Sequence, residues 1–294
     1  MSTKNQMEQP PPSVAEMVRI ALGLTTVCLI AAIILAVFYY ITEPAKAKNI
    51  QAREQQLITE LLGLSENAQV HEIRRYLRWQ ESKLQVIYLM PTMLLTMDDQ
   101  GNEMARVDVP DEIRTTSSTD AKDSWVKDTL QATEIERFKF AGRFFLGRDN
   151  DRLAGYVVEG LTPGYKTWIR FFLAIDSEFR LRGMEVIAHE EDPGLGAEIT
   201  ERYFKNQFAG RDFEAIAAIK VTKDPLPSAW KDSLKELGDT PFAPWFELHA
   251  PKLLQYPDIH AITGATISSV AVTNGIQKAL RNFRKRLQTV EQQL

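Results

Sequence analysis

The chain has 294 residues, 44% of them hydrophobic and 25% charged, with 35 basic against 39 acidic side chains for a net charge of −4. That apolar content fills a core and excludes a disordered chain, and mild charge without a basic block excludes nucleic acid as a partner. A single cysteine, Cys28, excludes an internal disulfide and cysteine-ligated iron–sulfur or zinc centres, and His71, His189, His249 and His260 are too scattered to announce a metal site.

Residues 1–16 are polar and carry Pro10, Pro11 and Pro12, which reads as a short disordered tail. The 22 residues Ile20–Ile41 contain no charge and end in Tyr39 and Tyr40, where interfacial aromatics belong. Residues 17–42 are therefore expected to cross a membrane once. The rival, a cleaved signal peptide, fits less well because the run is long and no small-x-small site follows it. Lys4 and Arg19 on one side and Lys46, Lys48 and Arg53 on the other leave the orientation open.

Residues 43–136 read as a helical stalk and connecting region. Pro44 permits a helix start, and Ile50, Leu57, Ile58, Leu61 and Leu62 form a helical stripe to about residue 64. Leu84–Leu89 fits a strand or a buried helix, and 110–125, with TTSSTDAKDS, a loop. From about 137 to 294 the pattern is that of a second domain. FKFAGRFFLG, RLAGYVVEGL, TWIRFFLAID and RLRGMEVIAHE are separated by turn residues at Arg148–Asp151, Thr162–Gly164 and Asp176–Glu178, a β-meander. LGAEITERYFKNQFAG predicts a helix ended by Gly210, and AIKVTK a strand. The stretch 224–258 holds Pro225, Pro227, Pro241, Pro244, Pro251 and Pro257 and reads as loop. A last helix over about 267–290 buries Val272, Ile276, Ala279, Leu280, Phe283, Leu287 and Val290 on one face. Arg281, Arg284, Lys285 and Arg286 near its end complement the helix dipole. The fold class is α+β: one transmembrane helix, then an antiparallel sheet packed by helices.

Two stretches carry candidate chemistry. Thr263-Gly264-Ala265-Thr266-Ile267-Ser268-Ser269 stands at the entrance to the last helix. Its hydroxyls, its glycine and the unsatisfied amides of a helix N-terminus suit a phosphate. Ordinary capping, with Thr266 as N-cap and Ser269 three residues on, accounts for the same residues. The second stretch is His189-Glu190-Glu191-Asp192-Pro193-Gly194-Leu195-Gly196, a tight turn between strand and helix. Its consecutive carboxylates make a poor metal site, cannot flank a sugar from two sides, and serve equally to offset a helix dipole.

Together these stretches resemble the covalent FMN-binding domains. Thr263–Thr266 matches their Ser/Thr-Gly-Ala-Thr signature. His189 with Glu191–Gly196 is similar to their His-x-Glu-Thr-Pro-Gly-Leu-Gly turn, with Asp192 in place of threonine. The order of membrane helix, meander, turn, signature and helix resembles the G subunits of Rnf-type electron-transport complexes and, by the same motifs, the C subunits of sodium-pumping NADH:quinone reductases. The resemblance is loose over 17–64 and good over 137–290.

It implies FMN joined through its phosphate to Thr266 by an FMN transferase that uses FAD. It also implies that Thr263, Gly264, Ala265, Ile267, Ser268 and Ser269 lie about the phosphate. Glu191, Pro193, Gly194, Leu195 and Gly196 would lie against the flavin, as would Gly164 and Tyr165 from the meander. No side chain is then catalytic in its own right. The chain would be an electron-relay subunit among other membrane subunits, single-pass in the cell inner membrane, with its main domain on the periplasmic side. Where the family usually has an acidic residue three positions before the signature, this chain has His260, with Asp258 two positions further back. That departure keeps a third reading open, a non-redox module of the same fold without covalent flavin.

Overall fold

The long apolar runs of the meander arise because both faces of its strands are covered. In the structure, a computed structural model describing residues 13–65, 68–80, 83–133, 137–150 and 152–290, the meander strands are Arg137–Asp149, Arg152–Pro163, Trp168–Asp176 and Leu181–Ala188. Residues 1–12 of the expected tail and Asp151 of an expected turn lie outside the described residues. Phe144, Leu146, Tyr156, Val158, Phe171 and Leu173 face one side of the sheet, and Phe145, Val157, Phe172 and Ala174 the other.

The first helix, α1, runs from Val14 to Leu62 and is long and apolar enough to cross a membrane. Its residues up to Arg53 belong to one unit, in which Ile20, Leu24, Ile33, Phe38 and Tyr40 are all exposed. The second unit, Glu54–Leu294, begins with the last turns of α1, where Ile58 and Leu62 pack on Phe145, Val157 and Phe172.

The expected connecting region is instead sheet. Four strands, β1 (Gln69–Gln80), β2 (Lys83–Leu89), β3 (Met93–Met97) and β4 (Glu103–Asp108), precede the meander strands, which are thus β5 to β8. All join one eight-stranded antiparallel sheet in the order β4-β3-β2-β1-β5-β6-β7-β8. β1 is hard to see because it buries cations: Arg74 is only 3% exposed. It is held by Glu72 at 3.1 Å and Asp123 at 2.9 Å. The expected loop at 110–125 forms two short helices, α2 (Asp111–Thr115) and α3 (Thr119–Thr129). Ser118 starts α3 by accepting from the Ala121 amide, and Val126 enters a core with Tyr76, Ile87 and Leu94.

After β8 the expected continuous helix is broken: 3₁₀ turns at Gly196–Thr200 and Asn206–Phe208 flank α4 (Arg202–Lys205). Next come α5 (Phe213–Ala218) and the two-residue strand β9 (Val221–Thr222). The proline-rich stretch is not loop. It folds as α6 (Ser228–Glu236) and α7 (Phe242–Gln255), each preceded by a proline, Pro227 or Pro241, whose fixed φ suits a helix start. Their apolar faces close on each other through Trp230, Leu234, Phe242, Trp245 and Leu253. The strand β10 (Ile259–His260) pairs in parallel with β9. Last, α8 (Thr266–Val290) lays the expected Val272, Ile276, Leu280, Phe283, Leu287 and Val290 on the sheet.

On the face covered by α1, Arg143 joins three carboxylates, Glu159 at 2.6 Å, Glu54 at 2.9 Å and Glu72 at 3.2 Å. Burial alone would raise the Glu72 carboxyl, but Lys122, Arg74 and Arg143 hold it below its ordinary value. Its stabilising contribution is therefore present above the unfolded pKa and lost as the pH falls through the lower folded value. Arg143→Met leaves three clustered anions. We expect it to lower stability by about 2 kcal/mol, less than a fully buried pair because water reaches this edge. Chemical denaturation of the two proteins checks this, with an unchanged midpoint as the contrary result.

Candidate functional site

Three segments distant in sequence meet at one end of the sheet. They are the β6–β7 turn at Gly164–Thr167, the turn 191–196 after β8, and the start of α8. Between them lies a cavity of about 390 Å³ lined by Tyr165, Glu191, Asp192, Leu195, Gly196, Gly264, Ala265, Thr266, Ile267 and Ser268.

The start of α8 is set by Gly264. A turn closes from the Ala265 amide to the Ile262 carbonyl at 2.9 Å, and Gly264 occupies its third position at φ +79°, where glycine is at ease. The helix begins at Thr266, so the expected N-cap role passes to Ala265, whose carbonyl receives the Ser269 amide at 3.1 Å. Ser269 is fully buried. Its hydroxyl donates to the Ala265 carbonyl and accepts from the Ile262 amide, both at 3.0 Å, so it braces the turn and does not face the cavity. Thr263 is exposed outside the cavity. The Thr266 hydroxyl and the amides of Thr266, Ile267 and Ser268 have no hydrogen-bond partner among the described residues.

Glu191 ties the three segments together. Only 4% exposed, its Oε1 accepts from the amides of Tyr165 at 2.9 Å and Lys166 at 3.2 Å, while Oε2 accepts from the Ser268 hydroxyl. The glycines on either side give it room. A Cβ on Gly164 would strike Oε1, and one on Gly196 would come within 2.6 Å of Oε2 and 2.9 Å of the Ser268 hydroxyl. Gly196→Ala should thus push the carboxylate off its donors and cost about 2 kcal/mol. Gly194, at φ +72° with open space around its Cβ position, bears only backbone strain on the same change. Thermal melts of both variants test this, and equal losses would contradict it.

Asp192 closes the turn, its carbonyl accepting from Leu195 at 3.1 Å and Ala197 at 3.0 Å. Its carboxylate pairs with Lys166 and raises the lysine's pKa. Asp192 was expected in this turn only as a replacement for threonine, and Lys166 was not expected at the site, although it directly follows Gly164-Tyr165. His189 serves the backbone: its Nδ1 accepts from the Glu191 amide at 3.2 Å, which leaves any proton on Nε2. Leu195 lies over Gly264, since a Cβ there would approach its Cδ2 to 2.9 Å. Pro193 and Gly194 are exposed on the outside of the turn. Tyr165, Leu195 and Ile267 are exposed around the cavity mouth. His260 is held by its backbone, donating to Gln207 Oε1 at 2.8 Å and accepting from Gln207 Nε2 at 3.2 Å. Its Nδ1 lies 3.0 Å from the Asp224 carbonyl. Among the described residues no group of histidine, cysteine and carboxylate side chains is arranged for a metal.

These segments fall within residues 164–281, which match the FMN-binding domain family. The chain is 25% identical over 199 residues to the G subunit of the Na(+)-translocating ferredoxin:NAD(+) oxidoreductase complex of Acetobacterium woodii, covering 67% of this chain and 81% of that protein. It is 30% identical over 139 residues to the G subunit of the ion-translocating oxidoreductase complex of Methanosarcina acetivorans, covering 47% of this chain and 56% of that one. The solved C subunit of the Na(+)-translocating NADH-quinone reductase from Parabacteroides distasonis aligns at a TM-score of 0.35 and 20% identity, over 53% of this chain and 65% of its own. The family match encloses the Gly164 turn, the 191–196 turn and the Thr263–Thr266 signature that the fold brings to one cavity, so residues 164–281 are similar to FMN-binding domains and the chain is similar to the G subunits of ion-translocating oxidoreductase complexes.

Proposed function

We propose that the chain is a membrane-anchored flavoprotein subunit that carries FMN in ester linkage to Thr266 and relays electrons within an Rnf-type ion-translocating complex. The observation that carries this is the Thr266 hydroxyl, free of protein partners among the described residues, beside amides that lack acceptors at the mouth of a ligand-sized cavity. That donor set fits a phosphodiester, which keeps one negative charge. FMN, when bound, supplies the redox chemistry. The protein attaches and orients it: Gly264 exposes the helix amides, Glu191 fixes the surrounding loops, and Leu195, Ala265 and Ile267 give an apolar lining. For attachment Thr266 would supply the acceptor oxygen and lose its hydroxyl proton, with FAD as the FMN donor, AMP as the leaving group and an FMN transferase as the catalyst.

The uncharged run Ile20–Ile41 anchors the chain, and without a charged residue it offers no path for ions. Ion movement therefore falls to other subunits of the complex. Residues 43–294 are placed outside the cytoplasm. A reporter active only in the cytoplasm, fused after Leu294, should be silent; activity would reverse the topology.

His260 favours one competing reading, a module without covalent flavin. Against it, the His260 side chain meets the Asp224 carbonyl and the edge of the Tyr256 ring, and Gln207 holds its backbone whatever the side chain, so the signature keeps its shape. Native protein is therefore expected to incorporate FMN from FAD and magnesium with purified transferase. His260→Asp should do so at least as fast. No incorporation by the parent, with ready incorporation by His260→Asp, would favour the competing reading.

A further inference from the structure

Far from the flavin segments, the β1–β5 pairing slips. Arg74 pairs with Arg143 and Tyr76 with Phe140, so Ala141 and Gly142 stand opposite Arg75 alone. Such a bulge re-aims the side chain beside it. Gly142 takes φ +108°, and a Cβ there would lie 3.6 Å from Nη1 of Arg286, so α8 delivers a second guanidinium to the bulge. Across the ladder Arg75 is opposite Tyr88 and donates a hydrogen bond to its phenol, which also lies within the field of Arg286.

Arg74, Arg143 and Arg170 of this sheet each face carboxylates, whereas Arg182 in β8, like Arg75, has a buried Nε without a hydrogen-bond partner among the described residues. Arg75 and Arg286 have no ion pair among the described residues, and the buried Nε of Arg75 has no hydrogen-bond partner there. Burial first, and then the neighbouring Arg75 charge, hold Arg286 below its ordinary pKa. Two like charges gathered at a bulge without a counter-charge destabilise the fold that holds them unless an anion joins them.

We propose that Arg75, Arg286 and Tyr88 form a binding site for a phosphate group. Two guanidinium groups and a phenol bring donors to one bulge, and guanidinium geometry matches a phosphate's oxygens. The ligand is either inorganic phosphate or the phosphate of an anionic lipid headgroup. The site is separate from the flavin: Arg286 lies 20 residues beyond Thr266 on one helix, about 30 Å along its axis. It stands whether or not Thr266 carries FMN.

The test uses the full chain in neutral detergent, as parent, Arg286→Gln and Thr266→Val. Inorganic phosphate, compared with chloride at equal ionic strength, is expected to raise the melting temperature of the parent and of Thr266→Val by several degrees and leave Arg286→Gln unmoved. If the source is lipid, phosphatidylglycerol in the micelle gives that pattern and phosphatidylcholine does not. Without added anion, Arg286→Gln should melt no lower than the parent, because repulsion is relieved; a purely structural arginine predicts a loss. Equal shifts in parent and Arg286→Gln, or no shift with either phosphate source, would overturn the proposal.

Discussion

Thr266→Val is expected to give a folded, colourless protein in a host where the parent is yellow and stays fluorescent on a denaturing gel. Valine keeps the shape of threonine and removes the one oxygen able to form the ester. The fold should survive, because the Thr266 hydroxyl has no partner among the described residues and the helix cap is the Ala265 carbonyl. The expected stability change is below about 1 kcal/mol, the ordinary value of a cap that this residue does not make. The flavin signal, by contrast, should fall to background. Covalent flavin persisting in Thr266→Val would move the attachment point elsewhere.

The second large effect is expected from Glu191→Ala. Its carboxylate receives two backbone amides of the β6–β7 turn and the hydroxyl of Ser268. Truncation leaves those donors facing one another across a void. Each unpaired buried donor costs about 1–3 kcal/mol, so the loss is about 4 kcal/mol once water enters beside the open cavity. That lowers the melting temperature by roughly 10 °C in a unit of this size. Flavin attachment should slow at least tenfold, because Thr266 keeps its chemistry while the surrounding loops lose their register. Glu191→Gln, which keeps the acceptor toward one side only, should fall between. A melting temperature within about 2 °C of the parent for Glu191→Ala would show that the carboxylate does not fasten these segments.

Parts of this architecture are legible in the sequence because local pattern and tertiary environment agree. Val272, Ile276, Phe283 and Leu287 recur at helical spacing and meet one sheet face. The paired apolar residues of the meander, such as Phe144 and Phe145, announce strands covered on both sides. β1 is not legible, because Arg74 and Arg78 are buried and the counter-charge that permits burial of Arg74, Asp123, comes from a helix 49 residues away. α6 and α7 are concealed by prolines that begin helices here. At the site, the signature marks Thr266 and Gly264 directly. The function of Glu191 is hidden among consecutive acids, since its partners lie 26 and 77 residues away. Ser269 reads as a phosphate donor by spacing alone, yet the turn of Gly264 draws it into the backbone of Ile262.

The mass of the intact native chain, followed by mapping of the peptide that contains Thr263–Ser269, tests the flavin assignment most directly. The expected result is a chain heavier than its sequence by FMN less one water, with the added mass on Thr266. A chain of unmodified mass, isolated from membranes in which its complex and FMN transferase are both present, would contradict it.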